Sequence, residues 1–136
     1  MNRKTHCAID ERLCGEVTEL SPGRCCVRLQ LTEAMRADER GLAHGGFIFG
    51  AADYAAMLAV NEPYVVLGAA EVRFKRPSSV GEVLTFEAQV EGGAAGRPAV
   101  RVVGKSTDGQ VAFMGTFSCA VLAQHVLGAA PPPSGF

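Results

Sequence analysis

At 136 residues the chain has room for one domain with a proper core, without disulfide or metal staples. Thirteen basic residues against fourteen acidic ones leave a formal charge of −1, which excludes the broad basic field of a nucleic-acid binder. Five cysteines without a C-x-x-C pair, and only three histidines, exclude zinc-finger spacing and point to free thiols in a reducing compartment.

The N-terminus, residues 1–6, is polar and leads into no apolar run, so no signal peptide is expected. Residues 15–20 alternate weakly, Ser21-Pro22-Gly23 offers a turn, and residues 24–31 alternate again, which predicts a β-hairpin. Residues 32–44 are polar and read as a loop with a short helical turn at Glu33–Arg36. From Gly46 to Asn61 alternation fails and alanine dominates. This predicts a buried helix of about four turns, ended by Asn61-Glu62-Pro63. The stretch from Gly45 to Val60 is too short and too rich in Gly and Ala, with an Asp inside, to cross a bilayer, so a cytoplasmic protein is expected.

Four β-like runs follow, at 64–76, 83–91, 97–107 and 111–123, and read as an antiparallel meander. The breaks between them fall at 77–81, 92–96 and Asp108-Gly109, the last a hairpin signal. Residues 1–124 are expected to form the domain and 125–136, rich in Pro, a flexible tail. Strands without alternating helices exclude a doubly wound fold. The periodicity supports an α+β class, with a strongly curved antiparallel sheet of about five or six strands around one helix.

Two features along this pattern carry chemistry. Asp53 interrupts an apolar, alanine-rich helix, and a buried unpaired carboxylate costs several kcal/mol, roughly, unless hydrogen-bonded or protonated. It marks a functional site unless that helix side faces water. His44-Gly45-Gly46 stands directly before the helix, where free N–H groups and the positive dipole end suit an oxyanion. By itself it is equally a glycine turn with a core histidine. Gly45 and Asp53 lie about 12 Å apart along a helix axis, so one substrate reaches both only across two subunits.

His44-Gly45-Gly46, six residues, then Asp53, continuing to Asn61, resembles the PaaI-like branch of hotdog-fold acyl-CoA thioesterases. The stretch from Val72 to Pro77, followed by Gly81-Glu82-Val83-Leu84, is similar to that family's strand, R-P and G-D/E-x-L pattern. The resemblance runs from about Asp38 to about Val121.

It implies a hotdog fold and hydrolysis of a small or aromatic acyl-CoA thioester, with coenzyme A as part of the substrate and no metal or other cofactor. The Gly45 N–H would polarise the carbonyl. Asp53 of the other subunit would act as nucleophile or general base, and His44 would orient the site. Gly46, Asp38 and Asn61 are further expected substrate contacts. Arg73, Lys75 and Arg76 form a local basic cluster suited to nucleotide phosphates, or else a solvated strand face.

A homodimer with a shared site, and a dimer of dimers, are implied as the assembly, with no nucleic-acid or membrane partner. Asp38 stands where the family often carries Asn, and residues 66–70 lack the hydroxyl often found there. A non-catalytic acyl-CoA sensor would lack an acid at 53 and carry a DNA-binding segment, for which the roughly 14 residues before the first strand are too few. A hydratase of the same fold would want a different Asp/His pair.

Overall fold

The computed structural model describes residues 1–128, so residues 129–136 of the expected tail lie outside the described residues. The elements run in order α1 (Glu11–Cys14), β1 (Glu16–Ser21), β2 (Arg24–Gln30), a 3-10 turn (Glu33–Met35), α2 (Gly45–Val60), β3 (Val65–Phe74), β4 (Val83–Ala94), β5 (Arg97–Ser106) and β6 (Val111–Val121). The six strands form one antiparallel sheet in the order β1-β2-β4-β5-β6-β3, against which α2 packs. This is the α+β hotdog arrangement that the resemblance implied.

The hairpin, the buried helix and the later strands fall within a few residues of their expected positions. Three details differ. The stretch 92–96 was expected to be a break, but β4 continues to Ala94 because a register shift between Val90 and Gly93 absorbs the glycines within the ladder. The strands after α2 do not form a simple meander. β3 leaves β4 to pair with β2 and takes the free side of β6 as an edge strand. The four-residue helix α1, capped by the Asp10 side chain on the Arg12 N–H, has no apolar period that sequence reading could detect.

Helix α2 supplies much of the core. Ile48, Ala51, Ala52 and the unbroken run Tyr54 to Ala59 are buried, against Leu29, Phe86, Val100, Val102, Phe113 and Phe117 among others. Its alanines cost no side-chain entropy in a helix, and their small size suits the sheet's close approach. The helix ends where Asn61 takes the left-handed conformation (φ 50°, ψ 47°) and donates its backbone N–H to Met57 O at 2.8 Å.

The N-terminal residues strap the far end of this helix. The Lys4 N–H donates to Asn61 Oδ1 at 2.8 Å, Asn61 Nδ2 donates to Asn2 O at 2.9 Å, and Arg3 Nη1 donates to Tyr54 Oη at 2.7 Å. All five cysteines are free thiols. Among the described residues no helix is long and apolar enough to cross a membrane.

Candidate functional site

The approach to α2 is set by the loop before it. Asp38 Oδ1 accepts from the backbone N–H groups of Arg40 (2.9 Å) and Leu42 (3.1 Å), closing an Asx-type turn. Bridges Arg36↔Ala43 and Leu42↔Ser79 then hold the chain to its neighbours. Asp38 is exposed and bonded within its own loop, so it shapes the entry to His44.

His44 is the N-cap position of α2. Its N–H donates to Met35 O at 2.9 Å and its carbonyl accepts from the Phe47 N–H at 3.2 Å. The first N–H groups of a helix have no partner within it, which leaves those of Gly45 and Gly46 for other acceptors. The exposed imidazole folds back over the helix start, edge-on to the Phe47 ring with centroids 6.1 Å apart. Gly46 is what permits this, because a Cβ there would stand 2.9 Å from His44 Nε2. A Cβ at Gly45 would stand 3.3 Å from Cε1 of Phe74, the last residue of β3. Phe74 is half exposed and closes one side of the helix N-terminus, an aromatic that sequence reading did not single out.

Asp53 lies two turns further along. Its Oδ1 is shut off from solvent and has no hydrogen-bond partner. Burial raises its carboxyl above the ordinary value of 3.8. Gly50, one turn before it on the same face, would carry a Cβ into open space with nothing within 4 Å. The acid therefore borders a gap next to a helix face otherwise packed in core. Two thiols lie close enough to feel its charge. Burial first, then Asp53, raises Cys14, and the same two causes push Cys119 up to about 11. Neither thiol stood out in the sequence.

The expected basic cluster divides. Arg73 and Lys75 are exposed, and among the described residues neither has an ion-pair partner within 4 Å. Arg76 Nη2 instead donates to Glu82 Oε1 at 3.1 Å, while Glu82 Oε2 accepts the Ser79 N–H at 2.6 Å. The R-P and G-E pattern is thus a clamp on the turn between β3 and β4, a pairing legible only once both ends are seen together. Asn61 has its side chain committed at both ends to the N-terminal strap. A groove of about 610 Å³ opens on the outer face of the sheet, lined in part by Glu71, Arg73, Arg101 and Thr116.

The chain brings His44, Gly45, Gly46 and Phe74 together at one end of α2 and holds Asp53 apart from them. Helix N-terminal N–H groups without a partner inside the helix and a half-buried carboxylate are both present, about 12 Å apart along one helix.

Comparison with known proteins bears on the family of the chain. Residues 40–93 match the family model of the thioesterase superfamily. An uncharacterized protein from Pyrococcus horikoshii superposes with a TM-score of 0.91 at 43% identity, over 93% of this chain and 97% of that one. An Asn-to-Asp mutant of the phenylacetic acid degradation protein PaaI from Thermus thermophilus superposes with a TM-score of 0.75 at 27% identity, over 82% of this chain and 96% of that one. The methylthioribose-1-phosphate isomerase of Aquifex aeolicus is 48% identical over 90 residues, which are 66% of this chain and 20% of the isomerase. The chain spans less than half the length of the curated relatives it matches.

Proposed function

We propose, from the premise that this chain belongs to the thioesterase superfamily in its PaaI-like hotdog form, that it hydrolyses the thioester bond of a small or aromatic acyl-CoA. The observation that carries this reading is the Asp53 carboxylate: one oxygen buried without a partner, on an apolar helix, beside the gap at Gly50. Burying a carboxylate this way is a standing cost to the fold, and function is the reason to keep it.

In this reading the acyl carbonyl lies against the N–H of Gly45 at the positive end of α2, which stabilises the oxyanion as it forms. Asp53 of a second copy acts in one of two ways. As a base it takes a proton from the attacking water; the tetrahedral intermediate expels the coenzyme A thiolate, the thiolate takes up that proton and the acid is released. As a nucleophile it attacks the carbonyl carbon itself, expelling the thiolate and forming a mixed anhydride. A water then hydrolyses the anhydride, giving the acid, the free Asp53 carboxylate and the proton taken up by the thiolate. A thioester is already activated, so one oxyanion donor and one carboxylate are a sufficient set. The raised affinity of Asp53 for a proton makes it a better base than a solvated carboxylate. His44, folded over Gly46, orients the entry to the site.

Lys75, with Arg73 beside it, offers the nucleotide phosphates an exposed cationic rim near the Phe74 end of β3. Arg76 and Asn61 are left out of that contact set because their side chains are already bonded to Glu82 and to the strap. The assembly is a homodimer that shares its sites, with pairs of dimers as the larger form. Its support is the separation of Gly45 from Asp53 and the unpaired edge of β3.

The test is a panel of short, branched and aromatic acyl-CoA substrates, with the released thiol detected directly. Turnover of at least one class, lost in Asp53→Asn, is the expected result. A folded wild-type protein that releases no thiol from any of them would sink the enzymatic reading.

A further inference from the structure

Gly50 stands in the middle of α2, where the packing of the chain does not require a glycine. It is not among the glycines of positive φ, so no left-handed backbone explains it. Nor does it permit a close approach. A Cβ at Gly104 would come within 2.8 Å of Phe86, and one at Gly115 within 2.7 Å of Val72, but one at Gly50 meets nothing within 4 Å. The helix carries alanine at 51, 52, 55, 56 and 59, and all five are buried. At position 50 alanine would fit equally well and would favour the helix, because glycine gives up more backbone freedom on folding.

The glycine lies one turn before Asp53, about 4.5 Å away along the axis and on the same face. Both are only partly buried, in a helix otherwise buried at 51, 52 and 54–59. Asp53 Oδ1 has no hydrogen-bond partner. One face of one turn thus holds an empty notch and an orphaned carboxylate, neither of which the core accounts for. The neighbouring side chain does not fill the notch: Phe49 is turned onto Phe117, with ring centroids 5.5 Å apart, and Phe117 is itself fully buried against Phe113.

A ligand whose carbonyl carbon stands at the carboxylate answers both features. The rise from Asp53 to Gly50 is spanned by two or three carbon–carbon bonds of about 1.5 Å. The part of an acyl group level with the notch is therefore its second or third carbon beyond the carbonyl. A straight chain leaves the notch empty there, and a branch or a ring fills it.

We propose that Gly50 is the specificity-determining residue of the site, its missing side chain making room for a branch or ring two or three carbons from the thioester carbonyl. This rests on the thioesterase reading and narrows it to acyl groups that are broad at that point.

The test compares two substrates of equal chain length, 3-methylbutanoyl-CoA and butanoyl-CoA, which differ by one methyl group. The wild type should prefer the branched one. Gly50→Ala should lower the ratio of their kcat/KM values by about tenfold, the usual effect of one methyl-sized change in an apolar pocket, and Gly50→Val should lower it further. The thermal midpoint of Gly50→Ala should equal or exceed that of the wild type, so the smaller variant keeps the test open if Val disturbs the fold. Two thioethers that cannot be hydrolysed, S-(3-methylbutyl)- and S-butyl-coenzyme A, give the same comparison as a ratio of dissociation constants by calorimetry, and that ratio should shift the same way.

Ratios unchanged within about twofold in both variants would overturn the proposal. So would a lower midpoint for Gly50→Ala, which would mean that the fold needs the glycine. A loss of both substrates alike, together with dissociation of the assembly on dilution, would give the notch to a second copy of the chain and overturn it too. If the thioether ratio shifts and no thioester is hydrolysed, the notch stands and the thioesterase reading falls. If thioesters are hydrolysed and neither ratio shifts, the thioesterase reading stands and the notch falls. A wild type that neither binds the thioethers nor hydrolyses the thioesters removes both.

Discussion

Arg76 and Glu82 meet at 3.1 Å across the turn from β3 to β4, and the second oxygen of Glu82 holds the Ser79 N–H. The turn carries Ser78, whose carbonyl accepts the Ala43 N–H at 2.9 Å one residue before His44. The clamp therefore braces the chain that delivers the helix N-terminus.

Glu82 makes both contacts and Arg76 one, so their losses should differ. Glu82→Ala should cost about 1–2 kcal/mol of stability, since it frees an N–H and leaves a half-buried guanidinium unpaired. Arg76→Ala should cost about 1 kcal/mol or less. Urea denaturation of both single variants and the double variant gives the coupling. Steady-state kinetics should keep KM for the acyl-CoA within about twofold in Arg76→Ala, and a tenfold rise would return Arg76 to the substrate.

Lys75 carries the complementary expectation. It is exposed and, among the described residues, has no ion-pair partner, so Lys75→Ala should leave the unfolding transition in place. KM should rise several-fold, more at low salt than at high. An unchanged KM at low ionic strength would remove the phosphates from this rim.

How much of this was legible in the chain depends on range. Helix α2 was readable because its alanines, the Asp53 interruption and the Asn61-Glu62-Pro63 stop are all local signals. The edge position of β3 was not, because strand order depends on pairings between segments far apart, such as Arg24 with Gln89. Asp53 stood out because it interrupts an apolar helix, and its Oδ1 is buried without a hydrogen-bond partner. Asn61 and Arg76 were singled out with the site residues, yet their side chains bond residues 2, 4 and 82. A motif reports that a residue type matters, and only its contacts report why. Phe74 escaped notice because an aromatic at a strand end reads as ordinary core until Gly45 is found against it.

Asn61 offers a direct separation of structural from catalytic roles. Asn61→Gly keeps access to the left-handed cap and loses both strap bonds, while Asn61→Ala loses the bonds and strains the cap. The expected costs are about 1 kcal/mol for Gly and about 2 kcal/mol for Ala by thermal or urea unfolding. Turnover measured well below either midpoint should stay near wild type. A large fall in kcat with unchanged stability would show a role in the reaction instead.

Gly46→Ala tests the imidazole. The new methyl meets His44 Nε2 at 2.9 Å, and an exposed ring can swing away at little cost to the fold. If His44 orients the site from its folded-back position, Gly46→Ala and His44→Ala should lower kcat/KM by similar factors, on the order of tenfold. The double variant should then fall little further. Additive losses would mean that Gly46 acts on its own account, through the backbone.

Asp53→Asn is the sharpest test, because stability and activity should move in opposite directions. Burial raises the folded carboxyl above 3.8, so the fold favours the protonated form. Stability linked to this group is fully present below the unfolded pKa and is lost as pH rises through the folded one. Asn carries no charge and escapes that loss. The variant should match the wild type at acid pH and exceed it at neutral pH, by about 1 kcal/mol. Hydrolysis at neutral pH should fall by a hundredfold or more. The acid limb of kcat/KM in the wild type should sit above the ordinary carboxylate range, since the base must be ionised to act. Denaturant midpoints across pH, set beside the pH–rate profile, check both. A variant less stable than wild type at neutral pH would mean that Asp53 has a stabilising partner in the assembled protein, and a rate limb near 3.8 would mean that the carboxylate is solvated when it works.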